Sequence, residues 1–322
     1  MDPVCHTLVG AGLARSGLAR RTALGTTTLL IGANLPDVDV LAYLWGPGAD
    51  LAFRRGWTHG VLALGLWPFV LAGAMLLLHR TLRRRRREPP SSQADPKQLL
   101  LLSCLSIWSH PVLDTLNTYG VRWLMPFSGR WFYGDTLFIV DPWVWLTLGL
   151  GVAASRLRAS TRPARAALWL TFAYAAAMAA SAVAARQITQ EEMAAISGEP
   201  VRRLLVSPAP VNPFRRQVVA ELEKVYRTGE FRWLSDPHVD RASVRVYPKG
   251  PREYPAVRSA ASTTQGRRFL GWARFPAFRV ERGPEGRVTV HIVDLRYADR
   301  PGVRFGAVSI PVSGASHSEV SE

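Results

Sequence analysis

Cysteine and lysine are scarce in this chain. Two of its 322 residues are cysteine, Cys5 and Cys104, which excludes a disulfide-stapled scaffold and a four-thiolate metal site. Lysine occurs only at Lys97, Lys224 and Lys249, so 40 − 3 = 37 of the basic residues are arginine. Acidic residues number 24, leaving a formal net charge of +16. The sequence has no Gly-rich phosphate loop, no Ser-His-Asp signature and no internal repeat, and Met1-Asp2-Pro3 lacks the basic start of a signal peptide. An apolar fraction of 48% and a mean hydropathy of +0.04 exclude a disordered or collagen-like chain.

The near-zero mean hides two populations. Residues 61–78 and 166–185 carry no charge, and each approaches the roughly 20 apolar residues of a bilayer-crossing helix. Residues 22–45, 98–117 and 137–155 are apolar apart from isolated Asp and His, and 3–19 is a shorter segment rich in small residues. Beyond residue 185 the composition turns polar. The expected fold is mainly α: a multi-pass helical membrane domain over 1–185, a small α+β soluble domain over 186–312, and a disordered tail over 313–322.

Arginine placement predicts the orientation. Of the 18 basic residues before position 186, fourteen fall in three connections: Arg15, Arg20 and Arg21; Arg80, Arg83 to Arg87 and Lys97; and Arg156, Arg158, Arg162 and Arg165. Arg54, Arg55, Arg122 and Arg130 occupy the alternate connections. Basic residues in short loops mark the cytoplasmic side, so the C-terminal domain is expected outside. A basic run beside a spanning helix sets topology and meets anionic headgroups, so the partner expected is a membrane lipid or lipid-linked substrate, not nucleic acid.

Polar residues inside apolar helices cost free energy and need a reason. His6, Asn34-Leu35-Pro36-Asp37-Val38-Asp39, Gly56-Trp57-Thr58-His59 and Ser109-His110-Pro111-Val112-Leu113-Asp114 all fall toward the outer half under this orientation. His110 and Asp114, four apart, share one helix face. Together with His6, Asp37 and His59 they form a mixed His/carboxylate set suited to a divalent metal, Zn²⁺ first, with Mn²⁺ or Fe²⁺ as alternatives. Asp39 and Asp114 are the candidate catalytic carboxylates, with Asp39 as ligand, orienting partner or base. Arg122 and Arg130, in an aromatic outer loop, are candidates to clamp an anionic group, and Asp135 and Asp141 are possible additional ligands. His79 sits with the inner arginines, and His238, His291 and His317 have no partner motif.

These stretches carry a resemblance. With His6-Thr7-Leu8-Val9-Gly10, Asn117-Thr118-Tyr119-Gly120 and Phe138-Ile139-Val140-Asp141-Pro142 beside them, the first 185 residues or so resemble the YdjM-like family of bacterial inner-membrane proteins, described as predicted metal-dependent hydrolases. The order His6, Asp37, His59, His110, Asp114 is distantly similar to the zinc-dependent phospholipase C and P1 nuclease group. That group has further histidines and a glutamate, whereas here no histidine lies between His110 and His238. The resemblance implies a hydrolytic metal site in an inner-membrane protein; with the outward placement read from the arginines, the expected function is a membrane-bound hydrolase of a lipid-associated ester or phosphoester, which would arrive laterally at headgroup depth. A non-enzymatic scaffold with a structural metal and a transporter are the alternatives; a transporter would show paired broken helices in repeated halves. In the C-terminal part, 213–228 reads as an amphipathic helix, and Val244–Tyr247, Val280–Arg282, Val288–Leu295 and Val303–Ile310 read as strands.

Overall fold

A computed structural model describes residues 1–46, 48–86, 93–284, 287–297 and 305–312; the expected tail and part of the 282–287 connection lie outside the described residues. The chain forms two compact units. The first comprises Met1–Trp45, Phe53–Val183 and Ser207–Pro213; the second comprises Gly46–Ala52, Ala184–Val206 and Phe214–Glu322.

The first unit is helical. α1 (Pro3–Arg15) starts with Pro3 in the first turn, and the Asp2 side chain accepts from the amides of Val4 and Cys5. It stops at Ser16, before a left-handed Gly17. A short 3-10 turn (Leu18–Arg21) leads to α2 (Gly25–Asn34), which gives way to a 3-10 segment (Leu35–Trp45). Pro36 accounts for that change, because it has no amide to continue the α ladder. α3 (Ala49–Phe53), one turn long, falls almost wholly in the second unit; α4 (Val61–Arg86), α5 (Pro96–Thr115), α6 (Pro142–Leu157) and α7 (Arg162–Ser197) follow. Asp95 caps α5 and Asp141 caps α6, each with a proline behind it. α2 packs between α1 and α5, α4 packs on α5, and α6 packs on α1. Small residues permit the close approach: a Cβ on Gly32 of α2 would lie 2.0 Å from Ser106 Oγ on α5, and one on Gly10 of α1 would lie 2.8 Å from the Leu29 carbonyl oxygen. Leu29, Leu99, Leu102 and Ile107 are fully buried there.

Six spans were expected. Among the described residues, two helices are long and apolar enough to cross a membrane: Val61–Arg84 within α4, and α7. α1 and α2, at 13 and 10 residues, reach only about 20 and 15 Å at 1.5 Å per residue, short of a hydrocarbon layer of about 30 Å. Gly17 and Pro36 end them early. Only 22% of the most apolar α4 window and 17% of that of α7 is buried. Leu66, Phe69 and Leu77 on α4 and Trp169, Leu170 and Phe172 on α7 are exposed. A core helix of a soluble domain would bury such residues; these two present them outward, as helices in lipid do.

α7 continues into the second unit, which is α+β. It holds a four-stranded sheet in the order β1 (Arg203–Pro208), β2 (Arg215–Glu221), β3 (Val225–Arg232), β4 (His238–Pro248), and a three-stranded sheet of β5 (Pro276–Arg282), β6 (Val288–Asp294) and β7 (Ala307–Val312). Short helices α8 (Pro255–Ser262) and α9 (Thr264–Trp272) join the sheets. Ala185 and Met193 of α7 pack with Leu204, Val218 and Phe231 in one core, and Tyr226, Phe275 and Leu295 form another.

The helix expected over 213–228 is instead two antiparallel strands, with Val218 opposite Gly229 and Ala220 opposite Arg227. The apolar positions Val218, Val219, Leu222 and Val225 suit a helix face. Flanked by β1 and β4 they are buried better in a ladder, and tertiary context wins over local periodicity.

Candidate metal centre

The residues of the centre come from four places in the first unit. His6 lies in the first two turns of α1, and Asp37 and Asp39 on the 3-10 segment after Pro36. His59 precedes α4, and His110 and Asp114 lie in the last two turns of α5. In each case the basic residues are at the other end: Arg15 closes α1, Arg20 and Arg21 precede α2, Arg80, Arg83 and Arg84 lie in the last turns of α4, and Lys97 opens α5.

The turn that delivers His59 is built with care for its amides. The His59 and Gly60 amides both donate to the Gly56 carbonyl, at 3.1 and 2.7 Å, and Val61 N–H donates to Trp123 O at 2.8 Å. A Cβ on Gly60 would lie 2.4 Å from the Met125 carbonyl oxygen, so glycine is required. Arg55 holds a left-handed φ of 52°, costly for a residue with a side chain. Its amide donates to Asp39 Oδ2 at 2.7 Å, and its carbonyl accepts from Arg122 N–H at 2.7 Å.

Asp37, His59, His110 and Asp114 each offer one ligand atom, and these four atoms all lie within 4.8 Å of one another; the group could hold a metal ion. His59 Nε2 is 3.3 Å and His110 Nε2 3.4 Å from Asp114 Oδ2, and His110 Nε2 is 3.6 Å from Asp37 Oδ1. These separations are long for hydrogen bonds to a carboxylate. They match ligand-to-ligand edges: bonds of about 2.0–2.2 Å in a tetrahedron give edges of roughly 3.3–3.6 Å. His59 Nε2, His110 Nε2 and Asp114 Oδ2 are all buried without a hydrogen-bond partner. Orphaned buried polar atoms are costly, and here three of them face one point.

The far side of each ligand is tied down. His110 Nδ1 lies 2.7 Å from the Ala33 carbonyl oxygen. A carbonyl only accepts, so the proton sits on Nδ1 and the Nε2 lone pair faces the cluster. His59 Nδ1 is 2.8 Å from Thr58 Oγ1 and 3.3 Å from Asp39 Oδ2, which also accepts from Thr58 Oγ1 at 2.8 Å. Asp114 spends its other oxygen, Oδ1, on Arg55 Nη2 at 3.1 Å, on His6 Nε2 at 3.2 Å and on the Met1 amino group.

The expected residues therefore separate by position. Asp37, His59, His110 and Asp114 converge. His6 stands behind them, its ring stacked on His110 with centroids 3.6 Å apart and facing the wrong oxygen of Asp114 to join the group. Asp39 backs His59. Asp141 is the α6 cap, accepting from the Trp143 and Val144 amides at 3.0 and 3.2 Å and from the Tyr174 hydroxyl at 3.2 Å. Asp135 lies outside the four-residue group. Arg122 is buried, its guanidinium 4.8 Å from the Trp131 ring centroid and donating to the Arg54 carbonyl at 3.0 Å; burial lowers its pKa from the ordinary arginine value. Arg130 is exposed, 5.3 Å from the Phe132 ring.

Sequence reasoning missed Arg55 and Asn117. The Arg55 guanidinium is buried and donates to Asn117 Oδ1 at 3.0 Å over the Tyr119 ring, 4.6 Å from its centroid. The signal was available: Arg54 and Arg55 stand in a connection poor in basic residues, directly before Gly56-Trp57-Thr58-His59.

Residues 1–188 match the family described as YdjM inner membrane protein. The chain belongs to the YdjM inner membrane protein family. All residues of the centre fall inside the matched stretch, and β1–β7 fall beyond it. Membrane residence follows from the family and accords with the outward apolar faces of α4 and α7. The uncharacterized protein YfhP of Bacillus subtilis is 25% identical over 118 residues, 37% of this chain. The match covers 32% of YfhP, so the chain spans about a third of the curated relative it matches. No solved structure matches.

Proposed function

We propose that this YdjM family member is a membrane-bound, metal-dependent hydrolase of a lipid-associated ester or phosphoester, with its site toward the outer face of the inner membrane. The observation that carries this reading is the convergence of three buried, unpartnered ligand atoms, His59 Nε2, His110 Nε2 and Asp114 Oδ2, with Asp37 as the fourth donor. Two imidazoles and two carboxylates suit Zn²⁺, with Mn²⁺ and Fe²⁺ as the other fitting ions. Such an ion supplies Lewis acidity toward a carbonyl or phosphoryl oxygen and an acidified water.

The chain's own residues do the rest. Asp39 and Thr58 fix the His59 ring, and the Ala33 carbonyl fixes that of His110. Arg55 and Asn117 hold Asp114 from behind, so that one carboxylate oxygen serves the site and the other the scaffold. Asp37 is the open side: its side chain is 16% exposed, whereas those of His59, His110 and Asp114 are fully buried. A structural metal site closes all its positions with protein; a partly exposed ligand favours a site that admits substrate. The arginine ends of α4 and α7 are read as cytoplasmic. His59, at the opposite end of α4, then lies outward, and α7 leads the C-terminal unit to the outer side. A lipid-borne substrate reaches such a site by lateral diffusion.

Metal content of detergent-purified protein, measured beside a panel of lipid ester and phosphoester substrates, tests this. Wild type is expected to retain close to one divalent ion per chain, and His110→Ala and Asp114→Ala to lose it together with any hydrolysis. Equal metal content in wild type and both variants would overturn the assignment; a full complement of metal with no turnover on the panel would favour a structural role.

A further inference from the structure

We propose that Arg54 is the substrate-positioning residue of this site, receiving an anionic phosphoryl oxygen, so that the site takes a phosphodiester rather than a neutral ester. This rests on the metal-centre reading above and deepens it. Arg54 Nη2 lies 3.8 Å from Asp37 Oδ1, and Asp37 is the exposed member of the cluster; Arg54 Nε lies 3.5 Å from Asp39 Oδ1. Despite these neighbours, Nε is buried and makes no hydrogen bond, and Asp39 Oδ1 likewise has none. Arg54 Nη1 donates to the Tyr43 hydroxyl at 3.1 Å, with the guanidinium carbon 5.5 Å from the ring centroid, which holds the fork in place. A guanidinium has five N–H donors in a planar fork suited to two phosphoryl oxygens, and Arg54 leaves donors available on the side of Asp37.

The nearby arginines do not compete. Arg55 is buried against Asp114 and Asn117, and Arg122 is buried on Trp131 with its fork on a backbone carbonyl. Arg54 retains 21% side-chain exposure. Charge points the same way. The side chains of Asp37, Asp39 and Asp114 against Arg54 and Arg55 sum to 2 − 3 = −1, or to 3 − 3 = 0 when the Met1 ammonium on Asp114 is counted, and a divalent ion makes the site net positive in either case. A net positive, partly desolvated site favours a monoanion.

The test is binding of dimethyl phosphate and of short-chain phosphatidylglycerol to metal-loaded protein in a neutral detergent, by calorimetry, for wild type, Arg54→Gln, Arg54→Lys and, at the exposed end of α6, Arg156→Gln, with metal content determined first. Arg54→Gln is expected to keep its metal and bind the phosphodiester at least tenfold more weakly. Arg54→Lys is expected to recover part of that loss, and Arg156→Gln to behave as wild type. Dependence on Arg54 for the lipid alone identifies a headgroup ligand; dependence for both identifies a phosphodiester of either source. Three results would overturn the proposal: Arg54→Gln binding within twofold of wild type, metal-loaded wild type ignoring both probes, or loss of metal from Arg54→Gln, which would make Arg54 a support for Asp37 and Asp39. A wild type that holds no metal would instead sink the metal-centre reading itself, before any phosphate is added.

Discussion

Asp39→Asn separates the orientation of a ligand from the stability of the fold. Asp39 Oδ2 accepts from Arg55 N–H at 2.7 Å and Thr58 Oγ1 at 2.8 Å and lies 3.3 Å from His59 Nδ1. Asn is isosteric, and its amide oxygen can keep the first two hydrogen bonds. Its charge is gone, however, and its NH₂ must take the Oδ1 position, 3.5 Å from Arg54 Nε, donor facing donor. Loss of an outer partner behind a metal-bound histidine costs roughly 10–100-fold in metal affinity, about 1.4–2.8 kcal/mol. Asp39→Ala adds a second effect. It strands the buried Arg55 amide, at roughly 1–3 kcal/mol, while the Thr58 hydroxyl can still turn to His59 Nδ1, 2.8 Å away. Competitive chelator titration and thermal unfolding of metal-stripped protein should therefore give two patterns: Asn with weakened metal binding and a nearly unchanged metal-free melting temperature, Ala with both reduced. An Asn variant that binds metal within twofold of wild type would refute the view that Asp39 orients His59.

Two other predictions follow from position. His6→Ala should retain one metal per chain, because His6 Nε2 addresses Asp114 Oδ1 and not the converging oxygen; equilibrium dialysis showing loss as complete as in His110→Ala would make His6 a ligand. In a background with Cys5 and Cys104 replaced, a cysteine at Trp57 should react with a membrane-impermeant maleimide added outside intact cells. One at Arg83 should react only after lysis, and the reverse pattern would invert the proposed orientation.

Much of the centre was legible in the sequence because isolated polar residues in apolar helices are expensive and so announce themselves. The i, i+4 pair His110 and Asp114, the Pro36 break before Asp37, and His59 ahead of an apolar run each had a one-dimensional signature, and the structure brings those four together. What sequence could not resolve was which oxygen of Asp114 each neighbour meets. His6 and His59 look alike in the pattern, and only the packing of α1 against α5 sends His6 behind Asp114. The left-handed Arg55 was equally hidden, since its backbone is held there by Asp39, sixteen residues away, and by Arg122. Helix lengths were overestimated where apolar composition runs on through Gly17 and Pro36, because hydropathy averages over the breaks that end α1 and α2. In the second unit, β2 was hidden because an apolar run bounded by charge fits a helix face until β1 and β3 lie beside it. The arginine count shows the same division. Clustered at the end of α1, at the end of α4 and around the turn from α6 to α7, arginine speaks for orientation and can be read from sequence alone; at Arg54 and Arg55 the same side chain stands among three carboxylates, and there only the distances assign one arginine to the scaffold and the other to the open side of the site.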